Sequence, residues 1–175
     1  MNIFQSKSAL AGICLLASSL LVSACTAAPA AVTANTPAQQ SQPATSKNPT
    51  LSTMQVYKDP NCGCCSGWIQ HMRAAGFSVE SHDTTDMLSI KQRLGITENM
   101  MSCHTAEIDG YVIEGHVPVA DIQRLLKERP KARGLVLPGM PVGSPGMESP
   151  DGYSQAFTVM LLGEDGSLQP YASHP

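Results

Sequence analysis

The chain lacks what a nucleic-acid binder needs. Of its 175 residues eleven are Lys or Arg, against fourteen Asp and Glu. Two of the basic residues, Lys7 and Lys47, precede residue 53, whereas every acidic residue lies beyond it. The chain beyond residue 53 is therefore mildly acidic with no basic stripe, which argues against a nucleic-acid partner. An apolar run long enough for a permanent membrane span is also missing. Ala9–Val22 comes after a polar start carrying Lys7 and reads instead as the core of a secretory signal. No internal repeat is visible. There is a single tryptophan, Trp68, read here as core.

The signal ends in "VSAC", Val22–Cys25. Small residues before a cysteine resemble a bacterial lipobox, which makes residues 1–24 a signal peptide and Cys25 a lipidation site. Ordinary cleavage near "APA", Ala28–Ala30, is the alternative. Either route exports the chain and removes Cys14. Thr26 is not the aspartate associated with inner-membrane retention, so the expected location is the periplasm, anchored to the outer membrane. Residues 25–52 are mostly Ala, Thr, Pro, Gln and Ser with Lys47 as their only charge. Without apolar periodicity they cannot bury enough surface to fold, and they read as a lipid-anchored tether. Membrane contact is expected only through that anchor. The folded domain is then 53–175, an ordinary single-domain length.

Within the domain, "TMQVYKD" alternates as a strand does, and Pro60 and Asn61 end it. "SGWIQHMRAAG" places Trp68, Ile69, Met72 and Ala75 on one helical face with Gly76 as a stop. "FSVESHD" reads as a strand. "DMLSIKQRLG" reads as a helix facing inward through Met87, Leu88, Ile90 and Leu94. Thr105–Ile108 and Tyr111–Gly115 flank "DG", a hairpin signal. "VADIQRLLKERP" is a helix with Ile122, Leu125 and Leu126 inward and Pro130 at its end. The Gly- and Pro-rich stretch from Ala132 to Gln155 reads mostly as loop. "FTVMLLGEDGSLQPY" closes with one or two strands. The order β-α-β-α-β-β-α predicts an α/β thioredoxin-like fold, a mixed sheet with flanking helices.

Three of the six cysteines, Cys62, Cys64 and Cys65, fall in "DPNCGCCSGW" just after the first strand. Closing so small a loop removes little unfolded-state entropy, so the cluster reads as chemical rather than as a staple. It sits where the first helix begins, and thiolates at a helix N-terminus have lowered pKa values. In this topology the third strand starts beside the first strand's end, which brings Cys103 to the cluster. The fourth strand's end returns to the same edge with His116. His104 comes directly after Cys103 on a strand and is expected to point to the opposite face. His71, His82 and His174 read as surface residues, and Asp59 as turn and cap chemistry.

"YKDPNCGCCSGW", "SCHTAEIDGYVIEGHVP" and "VLPGMPVGSPGME" together resemble the CopG-like periplasmic copper-resistance proteins, over nearly the whole domain. The resemblance implies a thioredoxin-like fold, copper held by Cys62, Cys64, Cys65 and Cys103, and redox chemistry in copper handling. It also singles out Met140 and Met147, in "GMPVGSPGM", as copper contacts or a gate. Thiolates and thioethers are soft donors that favour Cu(I), and histidine suits copper as well, so His116 joins the candidate ligands. Bridging thiolates could hold several ions, which relieves the difficulty of Cys64 and Cys65 ligating one ion side by side. Zinc is the competing metal, although paired C-x-x-C spacing for a closed structural site is missing. Three functions stay open: a copper oxidoreductase cycling Cu(I) and Cu(II), a passive copper chaperone, and a thiol–disulfide oxidoreductase using Cys62 and Cys65. Copper efflux or oxidase components of the envelope are the expected partners beyond the ion itself.

Overall fold

The computed structural model describes residues 52–175. The signal, Cys25 and nearly all of the tether lie outside them. Seven strands and three helices run in the order β1 (Met54–Lys58), α1 (Gly63–Ala74), β2 (Val79–Asp83), α2 (Met87–Arg93), β3 (His104–Ile108), β4 (Tyr111–Glu114), α3 (Val119–Glu128), β5 (Gly134–Val136), β6 (Phe157–Leu162) and β7 (Leu168–His174). One sheet runs β2-β1-β3-β4-β5-β6-β7. β1 and β2 are parallel, β3 is antiparallel to β1, and β4 is antiparallel to β3. That four-strand order, with only its third strand reversed, is the thioredoxin-like arrangement. β5, β6 and β7 extend it beyond β4.

The main core lies on one side of the sheet. Trp68, Ile69 and Met72 of α1 and Ile122 and Leu125 of α3 pack with Met54, Val56, Ala106, Ile108 and Ile113. The helical spacing of α1 and α3 thus does what periodicity predicts, except that Ala75 caps α1 and is exposed. α1 stops as Gly76 takes φ +92°, a conformation that costs glycine little. α3 ends on Arg129 in the left-handed region, just before Pro130.

The structure adds a short strand and corrects one expectation. The Gly- and Pro-rich stretch is not all loop: Gly134–Val136 forms β5, because "GLV" pairs in parallel with Val112–Glu114 and is buried throughout. On α2, Leu88 is 54 % exposed, while Lys91, on the same helical face as Met87 and Leu94, is buried. Opposite Lys91 stand the Glu114 carboxylate and the Thr105 hydroxyl, both of which accept from its ammonium, while Leu94 is buried as expected.

Candidate metal centre

Asp59 shapes the approach to α1. Its carboxylate accepts the Asn61 N–H at 2.8 Å and its carbonyl accepts the Cys62 N–H at 3.0 Å. Cys62 is the N-cap residue, and its sulfur accepts the Cys65 N–H at 3.3 Å. Cys62 and Cys65 are joined as a disulfide with Cα atoms 5.4 Å apart, while Cys64 and Cys103 are free thiols. Cys64 Sγ lies 3.5 Å from Cys62 Sγ and 3.8 Å from Cys103 Sγ, and Cys65 Sγ lies 3.4 Å from Cys103 Sγ. All four sulfurs fall within 4.8 Å of one another. The antiparallel pairing of β1 with β3, which sets Lys58 opposite His104, delivers Cys103 to the first turn of α1.

His116 approaches from beyond β4. Its Nε2 is 2.9 Å from Cys103 Sγ and its Nδ1 is 2.8 Å from the Pro145 carbonyl. A carbonyl only accepts, so Nδ1 carries the proton and Nε2 presents a lone pair toward the sulfurs. Burial lowers the His116 pKa, which favours this neutral ring. Burial, together with the neighbouring Cys64, pushes the Cys103 thiol up to about 12. Cys103 is thus a protonated donor to His116, and any metal it binds must displace that proton. The depressed thiol pKa expected at a helix N-terminus does not extend to Cys103, which belongs to the opposing strand.

His104 departs from expectation. Its Nδ1 is 3.4 Å from Cys103 Sγ, and Cys103, His104 and His116 form a second group able to hold an ion. Strict alternation of faces fails here because Cys103 sits in a bend before β3 begins. The His104 ring is fully buried against Trp68, 4.4 Å between centroids, and meets His116 edge-on at 4.9 Å. Its Nε2 has no hydrogen-bond partner. The adjacency of Cys and His at a strand start was the signal available in the sequence.

The segment between β5 and β6 straps across the site. The Pro145 carbonyl holds His116, and Gly146 lies against α1 so closely that a Cβ on it would meet the Cys64 carbonyl at 2.5 Å. Its contacts with the centre run through backbone. Met140 is 49 % exposed and Met147 is half-buried, at the two ends of the turn that carries Pro145. Of the remaining histidines, His71 pairs with Glu148 at 2.6 Å, His174 with Asp121 at 2.8 Å, and His82 bonds Gln55 at 2.6 Å. None of these joins the cysteine cluster.

A thioredoxin-like fold here carries four clustered sulfurs and two imidazoles, a donor set able to hold a soft metal ion. Two solved structures, titled "Copper resistance protein copG- Form 1" and "Form 2", are each 47% identical in sequence. The first matches 71% of this chain and 98% of its own with a TM-score of 0.67, the second 71% and 99% with 0.68. The chain belongs to the CopG-like copper-resistance family. A family model described as "Protein of unknown function, DUF411" matches residues 100–147, which takes in Cys103, His116 and the strap through Met147. No curated protein matches.

Proposed function

We propose that this protein binds copper as Cu(I), several ions together, through the thiolates of Cys62, Cys64, Cys65 and Cys103, and serves copper detoxification or export in the cell envelope. The observation that carries the reading is the convergence of four sulfurs within 4.8 Å, with the His116 Nε2 lone pair beside them. Such a donor set is soft and suits Cu(I) better than a hard cation. The copper-resistance titles of both structural relatives support the same metal. The disulfide withholds two of the four thiolates, so the full donor set forms only after an external thiol reductant supplies two electrons to open it into two thiolates. Bound copper would supply one-electron chemistry between Cu(I) and Cu(II). Efflux or oxidase components of the envelope are the partners to which a changed or delivered ion would pass. Met140 and Met147 serve in this reading as thioether contacts or a gate at the strap.

The Cys62–Cys65 disulfide favours a second reading, thiol–disulfide exchange at the start of α1. Cys64 and Cys103, lying 3.5 and 3.4 Å from its two sulfurs, would compete in any exchange. One experiment separates the two: anaerobic Cu(I) titration of the reduced protein, with zinc competition, beside an insulin-reduction assay, on wild type and Cys103→Ser. More than one Cu(I) per chain is expected, held in preference to zinc. Cys103→Ser exchanges a soft ligand for a hard hydroxyl of similar size and should weaken Cu(I) binding by at least about tenfold or lower its stoichiometry. A single ion, a zinc preference or unchanged binding in the variant defeats the four-cysteine cluster. Strong reductase activity in copper-free protein would establish exchange instead.

A further inference from the structure

Behind Cys103, on the α2 side of the sheet, a charged pair stands where hydrocarbon would be expected. Lys91 of α2 is 4% exposed and Glu114, the last residue of β4, is fully buried. Lys91 Nζ donates to Glu114 Oε1 at 2.5 Å and to Thr105 Oγ1 at 3.0 Å. Thr105 Oγ1 donates to Glu114 Oε2 at 2.6 Å, and the Ser102 backbone N–H donates to Oε1 at 2.6 Å. Burying two charges has a desolvation cost that their attraction often fails to recover, and apolar residues of similar volume are frequently as stable or more so. Hydrocarbon could fill this space, but it could not accept the Ser102 N–H.

That hydrogen bond lies next to the metal centre. Cys103 sits in a bend, outside the ladder that begins with Lys58 opposite His104. The sheet therefore does not by itself fix the backbone that carries its sulfur. Ser102 also donates from Oγ to the Gly139 carbonyl at 2.5 Å, and the Gly139 N–H returns to the Met101 carbonyl at 3.0 Å. The carboxylate thus joins the turn before Cys103 to the strand leading to His116, and Ser102 in turn reaches Gly139, at the start of the strap whose Pro145 carbonyl orients His116.

We propose that Lys91 and Glu114 are positioning residues for the metal centre: the Glu114 carboxylate pins the backbone before Cys103 and thereby sets its sulfur against His116 Nε2 and the α1 sulfurs. Lys91 compensates the buried carboxylate and holds it in place. The purpose of this positioning rests on the copper reading, but the positioning itself is measurable without copper.

Two double variants of the whole protein test it. Lys91→Met with Glu114→Leu replaces the pair by hydrocarbon and removes the acceptor. Lys91→Met with Glu114→Gln removes both charges and keeps an oxygen for Ser102. Each is measured for thermal unfolding, for Cu(I) affinity by chelator competition, and for the alkylation rate of Cys103 in metal-free protein, resolved by peptide mass. The leucine variant is expected to unfold cooperatively yet bind Cu(I) about tenfold or more weakly, with Cys103 alkylated several-fold faster. The glutamine variant should recover most of both. Affinity and alkylation within twofold of wild type in the folded leucine variant would overturn the proposal. Should that variant not fold, Thr105→Val, which removes one partner of the carboxylate at nearly constant shape, carries the test; unchanged alkylation there overturns it equally. If wild type binds no Cu(I), the copper reading fails, while the alkylation comparison still decides the positioning.

Discussion

The proton between Cys103 and His116 has one favourable place. Burial holds it on the sulfur, and the Pro145 carbonyl commits the imidazole's own proton to Nδ1. A soft cation arriving at the sulfurs would therefore find a neutral nitrogen lone pair already aimed. His104 is more extreme: burial first, then the charges of His116 and Lys91, hold its pKa well below the usual histidine value. The linkage has a definite sign. A histidine depressed in the folded state binds fewer protons there than in the unfolded chain, so stability is complete above the unfolded value of about 6.5 and falls as pH drops through it. For His104 the slope approaches about 1.4 kcal/mol per pH unit below that value. Glu114 works in the opposite sense, since burial raises its pKa and stability from it declines as pH rises. The prediction is therefore a difference: between pH 7 and 5, urea midpoints of copper-free wild type should fall more steeply than those of His104→Phe. Parallel pH profiles for the two proteins would show that His104 is not held neutral.

At the scale of elements, the centre depends on a loop lying hard against a helix. Gly146 has φ +84°, and a side chain there would drive into the Cys64 carbonyl and the Trp68 N–H, 2.5 and 2.6 Å from its Cβ. Gly67, facing it from α1, would bring a Cβ within 3.1 Å of the Gly146 Cα. Gly146→Ala must then either strain the strap or lift it. The left-handed conformation alone costs about 1–2 kcal/mol without glycine, and the backbone clash adds to it. Lower thermal stability is expected, together with weaker Cu(I) binding, because the Pro145 carbonyl adjoining Gly146 would withdraw from His116. A variant that unfolds and binds Cu(I) as wild type does would show that the strap is not needed at the centre. Elements with clear apolar periodicity, α1 and α3, were readable as helices with the correct buried faces, apart from Ala75 at the end of α1. α2 was readable as a helix with Leu94 inward, but Leu88 is exposed and Lys91 takes the buried place, because Glu114 and Thr105 stand opposite it.

For the whole molecule, the remaining question is where the domain is held. The "VSAC" sequence before a linker whose only charge is Lys47 motivates lipidation at Cys25, which lies outside the described residues. No described helix is long and apolar enough to cross a membrane. Fractionation of cells expressing wild type and Cys25→Ala is expected to show the first with the outer membrane and the second free in the periplasm. Identical release of both would exclude the anchor and leave cleavage near Ala30.

The sequence by itself determined the strand and helix order from β1 to α3, because periodicity and turn chemistry are local, but not β5, whose three residues carry no period of their own. Connectivity then carried Cys103 and His116 to the cluster, since reversing strands return to the same sheet edge whatever their side chains. The tertiary structure decided what depends on distances a few ångströms long. It alone turns His104 toward Cys103 at the bend before β3. It alone exposes the Pro145 carbonyl as the group that orients His116. The buried Lys91–Glu114 pair was equally hidden, because charged residues in a sequence read as surface until packing shows that each has found the other.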